Sequence, residues 1–177
     1  MSLMDSYECV TTKLDFREFS RGSVPAEVKL RILEAARLTG SGLNSQHWRF
    51  VLVQEREGLG RLARDTTTGV WAKDANFAII VLTNPKYPFH MIDAGRALQS
   101  MQIAGWSHGI LSCPITGLRE ESLHRDFNIP KDLEAAAIVA FGYPSRTVTG
   151  KRKRRRPLRD IAYLERYGNA FDPQLIQ

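Results

Sequence analysis

The chain has 177 residues, of which 43% are hydrophobic and two are cysteine. A chain of this length can bury a core without disulfides, so we expect a single domain over residues 1–177. Its longest apolar run, residues 77–82, is far too short to cross a membrane. No charged and then apolar signal segment opens the chain, which predicts a cytoplasmic protein without a membrane partner.

The positive charge is concentrated in one place. The formal net charge is +6, and residues 151–156 (KRKRRR) contribute six of the 25 basic residues, which leaves 19 to balance 19 acidic ones. This pattern predicts a local anion site or a tail rather than a generally basic surface. A solvated tail would bind polyanions, whereas the same residues within a site would hold a phosphate. Composition favours the tail, but the packable apolar residues that follow are unusual after a disordered tail.

The first half of the chain predicts two helices and two strands. A helix should start at Pro25 and stop at Gly40, because apolar residues recur at helical spacing between them. Residues 48–53 are typical of a strand, and residues 55–64 are typical of a charged helix. Residues 77–83 are apolar almost throughout, which predicts a strand that is covered on both faces.

The second half of the chain is organised around residues 91–117. Apolar residues at helical spacing predict a helix up to Gly109, whose small residues would let another backbone approach closely. A short buried strand follows, and it should break at residues 113–117 (CPITG) because proline lacks an N–H. Residues 119–127 predict another helix, residues 136–143 a fourth strand, and residues 158–167 a short helix or an arm. Interleaved helices and strands imply an α/β or α+β layered fold.

The motifs of several common chemistries are absent. The spacing Gly40-x-Gly42 follows a helix and precedes a strand, which is the reverse of a dinucleotide fingerprint. No GxxxxGK[ST], HExxH or GxSxG motif occurs, and the cysteines and histidines show no metal-ligand spacing, so we expect no metal. The sequence therefore favours binding, or an enzyme whose chemistry lies in a cofactor, over hydrolysis.

A few polar residues remain as candidates for a site. A loop between a packed helix and a strand, a position that often binds ligands, carries three of them: Ser41, Asn44 and Gln46. Lys13 and Arg17 could meet the same anion as the basic run, or they could be two exposed surface charges. Cys113 has no identifiable base nearby, so we expect a buried thiol rather than a nucleophile.

Five motifs, in order, resemble the nitroreductase family of FMN-dependent oxidoreductases. Residues 12–19 (TKLDFREF) resemble the opening T-R-R-[SD]-x-R-x-F motif, and residues 41–50 (SGLNSQHWRF) resemble S-x-x-N-x-Q-P-W-x-F. Residues 93–95 (DAG) open a helix like the D-x-G helix of the family. Residues 114–117 (PITG) and 153–158 (KRRRPL) resemble its P-I-x-G loop and its closing K-x-R-[KR]-P-L. Leu14 and His47 depart from the family pattern, where a basic residue and a proline are usual.

The resemblance implies an α+β fold with a mixed sheet flanked by helices, and a homodimer with FMN at the subunit interface. The first motif would surround the phosphate, ribityl chain and pyrimidine edge of the flavin. The second motif would come from the partner subunit, and the loop at residues 113–117 would lie along the ring with the N–H of Thr116 toward N5. A basic arm, residues 151–177, would complete the phosphate clamp. The implied cofactor-binding residues are Lys13, Leu14, Asp15, Arg17, Ser41, Gly42, Asn44, Gln46, Cys113, Pro114, Ile115, Thr116, Gly117, Lys153 and Arg155.

The family also implies a reaction. NADH or NADPH would deliver hydride to FMN, leave, and be replaced by an electron-poor acceptor such as a nitroaromatic or a quinone. Arg17 would stabilise the reduced flavin, and no side-chain acid or base is required. Two alternatives stay open at this point. One is a flavin-binding sensor or carrier with little turnover, and the other is a nucleic-acid-binding protein that uses residues 151–156, which the neutral body of the chain disfavours.

Overall fold

The structure is a computed structural model that describes residues 5–150 and 153–176. A four-stranded sheet lies between helices. The helices are α1 (Ser6–Thr12), α2 (Ala26–Arg37), α3 (Arg56–Arg64), α4 (His90–Ser107) and α5 (Glu120–Phe127). The strands are β1 (Arg49–Val53), β2 (Phe77–Thr83), β3 (Leu111–Ile115) and β4 (Glu134–Gly142). Short 3-10 helices lie at Gly42–Asn44, Val70–Asp74, Leu158–Asp160 and Pro173–Leu175.

The strands are ordered β1-β2-β4-β3, and each neighbouring pair is antiparallel. The expected α+β class is confirmed. The expectation of a mixed sheet needs a correction, because the named strands all pair antiparallel. Parallel pairing in the described residues is confined to one isolated bridge between Asp15 and Ser112, at the β3 edge.

Strand β2 is buried on both faces of the sheet. All seven of its residues are buried, and their side chains alternate between two core clusters because a strand has a period of two. Ala78, Ile80 and Leu82 pack with residues of α3 and α5 on one face. Phe77, Ile79 and Val81 pack with residues of α2 and α4 on the other. The prediction of a strand buried on both faces is therefore confirmed.

Two local predictions differ from the structure. Strand β3 does not break at Cys113 but continues through Pro114 to Ile115. Because β3 lies at the edge of the sheet and pairs only with β4, the missing N–H of a proline costs little there. Helix α2 begins at Ala26 with Pro25 as its N-cap, one residue later than expected.

The ends of the chain were also only partly predicted. The motif analysis did not predict helix α1, which buries a single residue, Cys9. Beyond β4, the only helix near residues 158–167 in the described chain is the three-residue turn Leu158–Asp160. The final segment is therefore an arm rather than a packed helix. No helix among residues 5–150 and 153–176 has the length and apolar character needed to cross a membrane.

Candidate functional site

Lys13 and Asp15 are held between helix α4 and strand β3. Lys13 caps the C-terminus of α1, and its Nζ lies 2.6 Å from Asp15 Oδ1. Asp15 Oδ1 also accepts a hydrogen bond from Gln102 Nε2 at 3.0 Å. Gln102, only 2% exposed, donates to Ser112 Oγ as well. The buried amide therefore fixes the position of the Lys13–Asp15 pair.

The basic arm joins this pair from the other end of the chain. Lys153 is partly buried, and its pKa is lowered from the ordinary value of 10.5 by burial first and then by the positive charges of Arg155 and Lys13. The carboxylate of Asp15 acts in the opposite direction. Three cations thus share a small region with one carboxylate, which we define as the basic cluster (Lys13, Lys153 and Arg155). A bound phosphate would relieve their mutual repulsion.

The remainder of the basic run is less constrained. Arg155 is exposed, and its Nη1 donates to the carbonyl oxygen of Arg154 at 2.9 Å. Lys151 and Arg152, which belong to the same predicted run, lie outside the described residues. The burial of Lys153 nevertheless favours the reading of this run as part of a site over the reading as a solvated tail.

Arg17 lies beside strand β3, which carries Cys113. Its Nε donates to Cys113 Sγ at 3.4 Å, and its guanidinium carbon lies 5.6 Å from the centre of a Trp71 ring. Cys113 is 2% exposed, and burial raises the pKa of its thiol above the ordinary value of 9.0, although the hydrogen bond from Arg17 lowers it. Cys113 is therefore a buried thiol that orients Arg17, in line with the absence of a neighbouring base.

Residues 115–117, which end β3 and follow it, differ in burial. The side chain of Ile115 is buried in the core, whereas Thr116 is exposed. The carbonyl oxygen of Gly117 accepts from Thr67 N at 2.8 Å, and a Cβ atom on Gly117 would collide with Thr67 Oγ1. A side chain at this position would require Thr67 to move.

Leu14 and Pro114 contribute little through their side chains. Leu14 packs against a small core cluster that includes Phe16 and Trp106, which leaves its backbone for any ligand. Pro114 lies within edge strand β3 and is partly buried. The sequence analysis assigned no role to Trp71 or Thr67. No motif marks the segment at residues 66–71. The bridge between Thr66 and Leu118 and the hydrogen bond from Thr67 N to the carbonyl oxygen of Gly117 place it beside residues 115–117.

The second predicted group lies on the loop before β1. Gln46 N donates to Ser41 Oγ at 3.0 Å, and Gln46 Nε2 donates to the carbonyl oxygen of Asn44 at 3.4 Å. Gly42 N donates to Asp93 Oδ2 at 2.9 Å, which ties the loop to the first turn of α4. Both Asn44 and Gln46 are exposed and adopt positive φ.

A buried histidine supports this loop from below. His47 is 5% exposed, and its Nε2 lies 3.3 Å from Asp93 Oδ2. Its Nδ1 lies 3.0 Å from Thr83 Oγ1, and its ring stacks on Tyr87 with centroids 5.0 Å apart. The residue that departs from the family pattern therefore has a defined packing role in this chain.

The structure does not bring the two groups together within one chain. The loop docks on α4 at Asp93, whereas the Lys13–Asp15 pair docks on α4 at Gln102. Nine residues of α-helix separate these points by about 13 Å along the axis. No hydrogen bond or ion pair joins Ser41, Gly42, Asn44 or Gln46 to the basic cluster in the part of the chain that the structure describes.

Comparison with known proteins identifies the family of this chain. The family model for the nitroreductase family matches residues 13–83 and 61–143. The chain belongs to the nitroreductase family. A protein of Methanothermobacter thermautotrophicus, named "Putative NADH dehydrogenase/NAD(P)H nitroreductase", is 32% identical over 154 residues, which are 82% of this chain and 80% of the relative.

Solved structures share the fold of this nitroreductase family member. A nitroreductase family protein of Clostridium difficile superposes with a TM-score of 0.83 at 24% identity, over 92% of this chain and 99% of that one. An FMN-dependent nitroreductase of the same species superposes with a TM-score of 0.77 at 22% identity, over 93% and 99% of the two chains. The expected family and the expected oxidoreductase class are confirmed.

Proposed function

We propose that this chain is an FMN-dependent oxidoreductase that takes hydride from NADH or NADPH and passes it to a small electron-poor acceptor, such as a nitroaromatic or a quinone. The observation that carries the proposal is the nearness of two features. The basic cluster surrounds Asp15, and Arg17, two residues further along the chain, contacts Cys113 at the start of residues 113–117. FMN has a phosphate, which the basic cluster would bind, and an extended ring system, which would lie against Arg17 and residues 113–117. When bound, FMN supplies a centre that accepts and donates hydride.

The roles of the residues follow from their positions. The phosphate would be held by the basic cluster, Lys13, Lys153 and Arg155. The arm at residues 151–177 would then belong to the same domain as the rest of the chain. Asp15, fixed by Gln102, keeps the Lys13 ammonium in place and would accept hydrogen bonds from the ribityl hydroxyls of FMN. The exposed backbone at Thr116 would meet the ring, and Arg17 would face its pyrimidine edge.

A homodimer would unite the two groups that α4 keeps apart. On α4, Met91 is 51% exposed and Ile92 is 69% exposed, next to Gly95, where a Cβ atom would meet nothing within 4 Å. The arm also exposes apolar side chains, among them Leu158 and Tyr167. Exposed apolar surface of this kind is typical of contact with another chain. We infer that a second copy of this chain covers these residues and contributes its loop at residues 41–46 to the site.

The cellular setting follows from the chemistry. Both cysteines are free and buried, and structural thiols that stay reduced are typical of the cytoplasm, where NADH and NADPH are available. We infer that the protein works there.

An absorbance spectrum tests the proposed function directly. The protein, purified with added FMN, should show bound flavin absorbance that bleaches on anaerobic addition of NADH or NADPH and returns when a quinone is added. A flavin spectrum that persists with both nucleotides would favour the sensor or carrier alternative instead. A protein that binds no FMN but binds DNA in a salt-sensitive manner would refute the proposal.

Arg155→Ala is expected to weaken FMN binding about tenfold, because one charge-assisted contact to the phosphate is lost. The measurement is fluorescence titration of the apoprotein with FMN. Arg159→Ala is the matched control, since Arg159 lies in the same arm and is 79% exposed at its side chain beside Asp160. Equal FMN affinity in the two variants would argue against the phosphate role of Arg155.

A further inference from the structure

A separate basic pocket lies beside the N-terminal motif. It has a volume of about 430 Å³ and is lined by Phe19, Arg21, Arg56, Lys73 and Asp74. The cations come from three different segments, since Arg21 precedes α2, Arg56 begins α3 and Lys73 lies in the 3-10 helix Val70–Asp74. Three positive side chains and one carboxylate leave this pocket with a net positive charge.

The cations of this pocket are available to a ligand. All three residues are exposed, and none of them forms an ion pair within the described chain. Arg56 Nη1 donates to the carbonyl oxygen of Ala75 at 2.9 Å, which holds its guanidinium at the pocket wall. Outside residues 151–156 the basic and acidic residues of the chain are balanced, so a local excess of this kind stands out.

The pocket is connected to the candidate flavin site by two aromatic side chains. Phe19, which lines the pocket, packs on Trp71 with ring centroids 6.2 Å apart. Trp71 also lies under the guanidinium of Arg17, whose carbon is 5.6 Å from the ring centre. A long molecule with one end at the loop of residues 113–117 could therefore place a second, anionic end in the pocket.

We infer that this pocket binds the 2′-phosphate of NADPH and makes NADPH the preferred electron donor. The inference rests on the proposed function and adds to it the identity of the donor. A phosphomonoester carries a charge of about −1.5 to −2 at pH 7, which matches the excess charge of the pocket, and arginine can bind it through two parallel hydrogen bonds. NADH has a hydroxyl group at that position, so the pocket discriminates between the two donors.

Two variants test the inference without touching the flavin site. Arg21→Gln and Lys73→Gln should each raise the KM for NADPH about tenfold and leave the KM for NADH unchanged, since each removes one charged contact to the phosphate. Arg31→Gln is the matched control, because Arg31 is equally exposed on α2 but does not line the pocket. Arg56 is left intact because of its hydrogen bond to Ala75. Equal KM values for the two donors in the parent protein would overturn the inference.

Calorimetry with nucleotide fragments gives a readout that does not depend on turnover. The FMN-loaded protein should bind 2′,5′-ADP about tenfold more tightly than 5′-ADP, and Arg21→Gln should remove the difference. If inorganic phosphate competes as well as 2′,5′-ADP does, the pocket is a simple anion site and the assignment to NADPH is wrong. The proposed function has its own test: it fails if neither NADH nor NADPH bleaches the flavin. In that case the titration with nucleotide fragments still shows whether the pocket binds a 2′-phosphate.

Discussion

Replacing Arg17 by glutamine is expected to slow reduction of the bound flavin about a hundredfold. The guanidinium is held by Cys113 Sγ and by the Trp71 ring, so its charge is already in place before hydride arrives. A preorganised group that stabilises charge in the transition state typically contributes about 10²–10³ in rate. Because Arg17 is exposed, the substitution should change the free energy of unfolding by no more than about 0.5 kcal/mol.

The measurement is anaerobic stopped-flow reduction of the FMN-loaded variant by NADPH at saturating concentration. Arg17→Lys is the matched control, since it keeps the positive charge and loses only the planar group, and it should retain most of the rate. The FMN affinity of both variants is measured in parallel, so that a slow rate is not confused with lost cofactor. A glutamine variant that reduces as fast as the parent protein would show that Arg17 does not act on the flavin.

The elements that the sequence predicted well are those with a strong apolar pattern. Strand β2 was predicted at residues 77–83 and has those bounds, because a fully apolar run between polar neighbours has few alternatives. Helix α1 was missed because it buries only Cys9 and so lacks an apolar repeat. A capping signal was nevertheless present: the side chain of Asp5 accepts from Glu8 N at 2.7 Å.

Sheet position was harder to predict than strand identity. The CPITG sequence was interpreted as a break because proline cannot donate to a ladder. Whether that matters depends on whether the strand is central or at an edge, and this is a property of the whole topology. The strand order β1-β2-β4-β3 leaves β3 with one neighbour, and Pro114 is accommodated there.

The candidate site shows the same limit. The resemblance placed Lys13 and Lys153 at one phosphate, but residue spacing alone left this open because they lie at opposite ends of the chain. In the structure the pKa of Lys153 is lowered first by burial and then by the positive charges of Arg155 and Lys13. The segment around Thr67 and Trp71 carries no motif, so its place beside Gly117 could not be predicted from local sequence.

Asp93 illustrates a residue whose importance lies in its burial. The motif analysis used it only to mark the start of a helix, yet its carboxylate is 2% exposed. It accepts from Gly42 N at 2.9 Å and lies 3.3 Å from His47 Nε2. Its other oxygen lies 3.5 Å from Arg96 Nη1. One side chain thus joins the loop at residues 41–46, helix α4 and, through His47 and its contact with Thr83, strand β2.

Replacing Asp93 by alanine is expected to lower the free energy of unfolding by about 3–5 kcal/mol, because it removes one partner of a buried polar network and leaves the others unpaired. The measurement is equilibrium unfolding in urea. Asp160→Ala is the matched control: its contact to Arg159 is 3.8 Å long and exposed, so its effect should stay within about 0.5 kcal/mol.

The same variant separates a structural role from a functional one. At a temperature where Asp93→Ala remains folded, the loop at residues 41–46 has lost its anchor through Gly42, so FMN affinity should fall as well if a partner subunit uses that loop. His47→Asn changes the same network but keeps the Asp93–Gly42 hydrogen bond. It should therefore lower the free energy of unfolding while leaving the affinity for FMN close to that of the parent protein. If Asp93→Ala is as stable as Asp160→Ala, the buried network does not stabilise the fold. If the affinity of Asp93→Ala for FMN is unchanged, the loop at residues 41–46 is not part of the cofactor site.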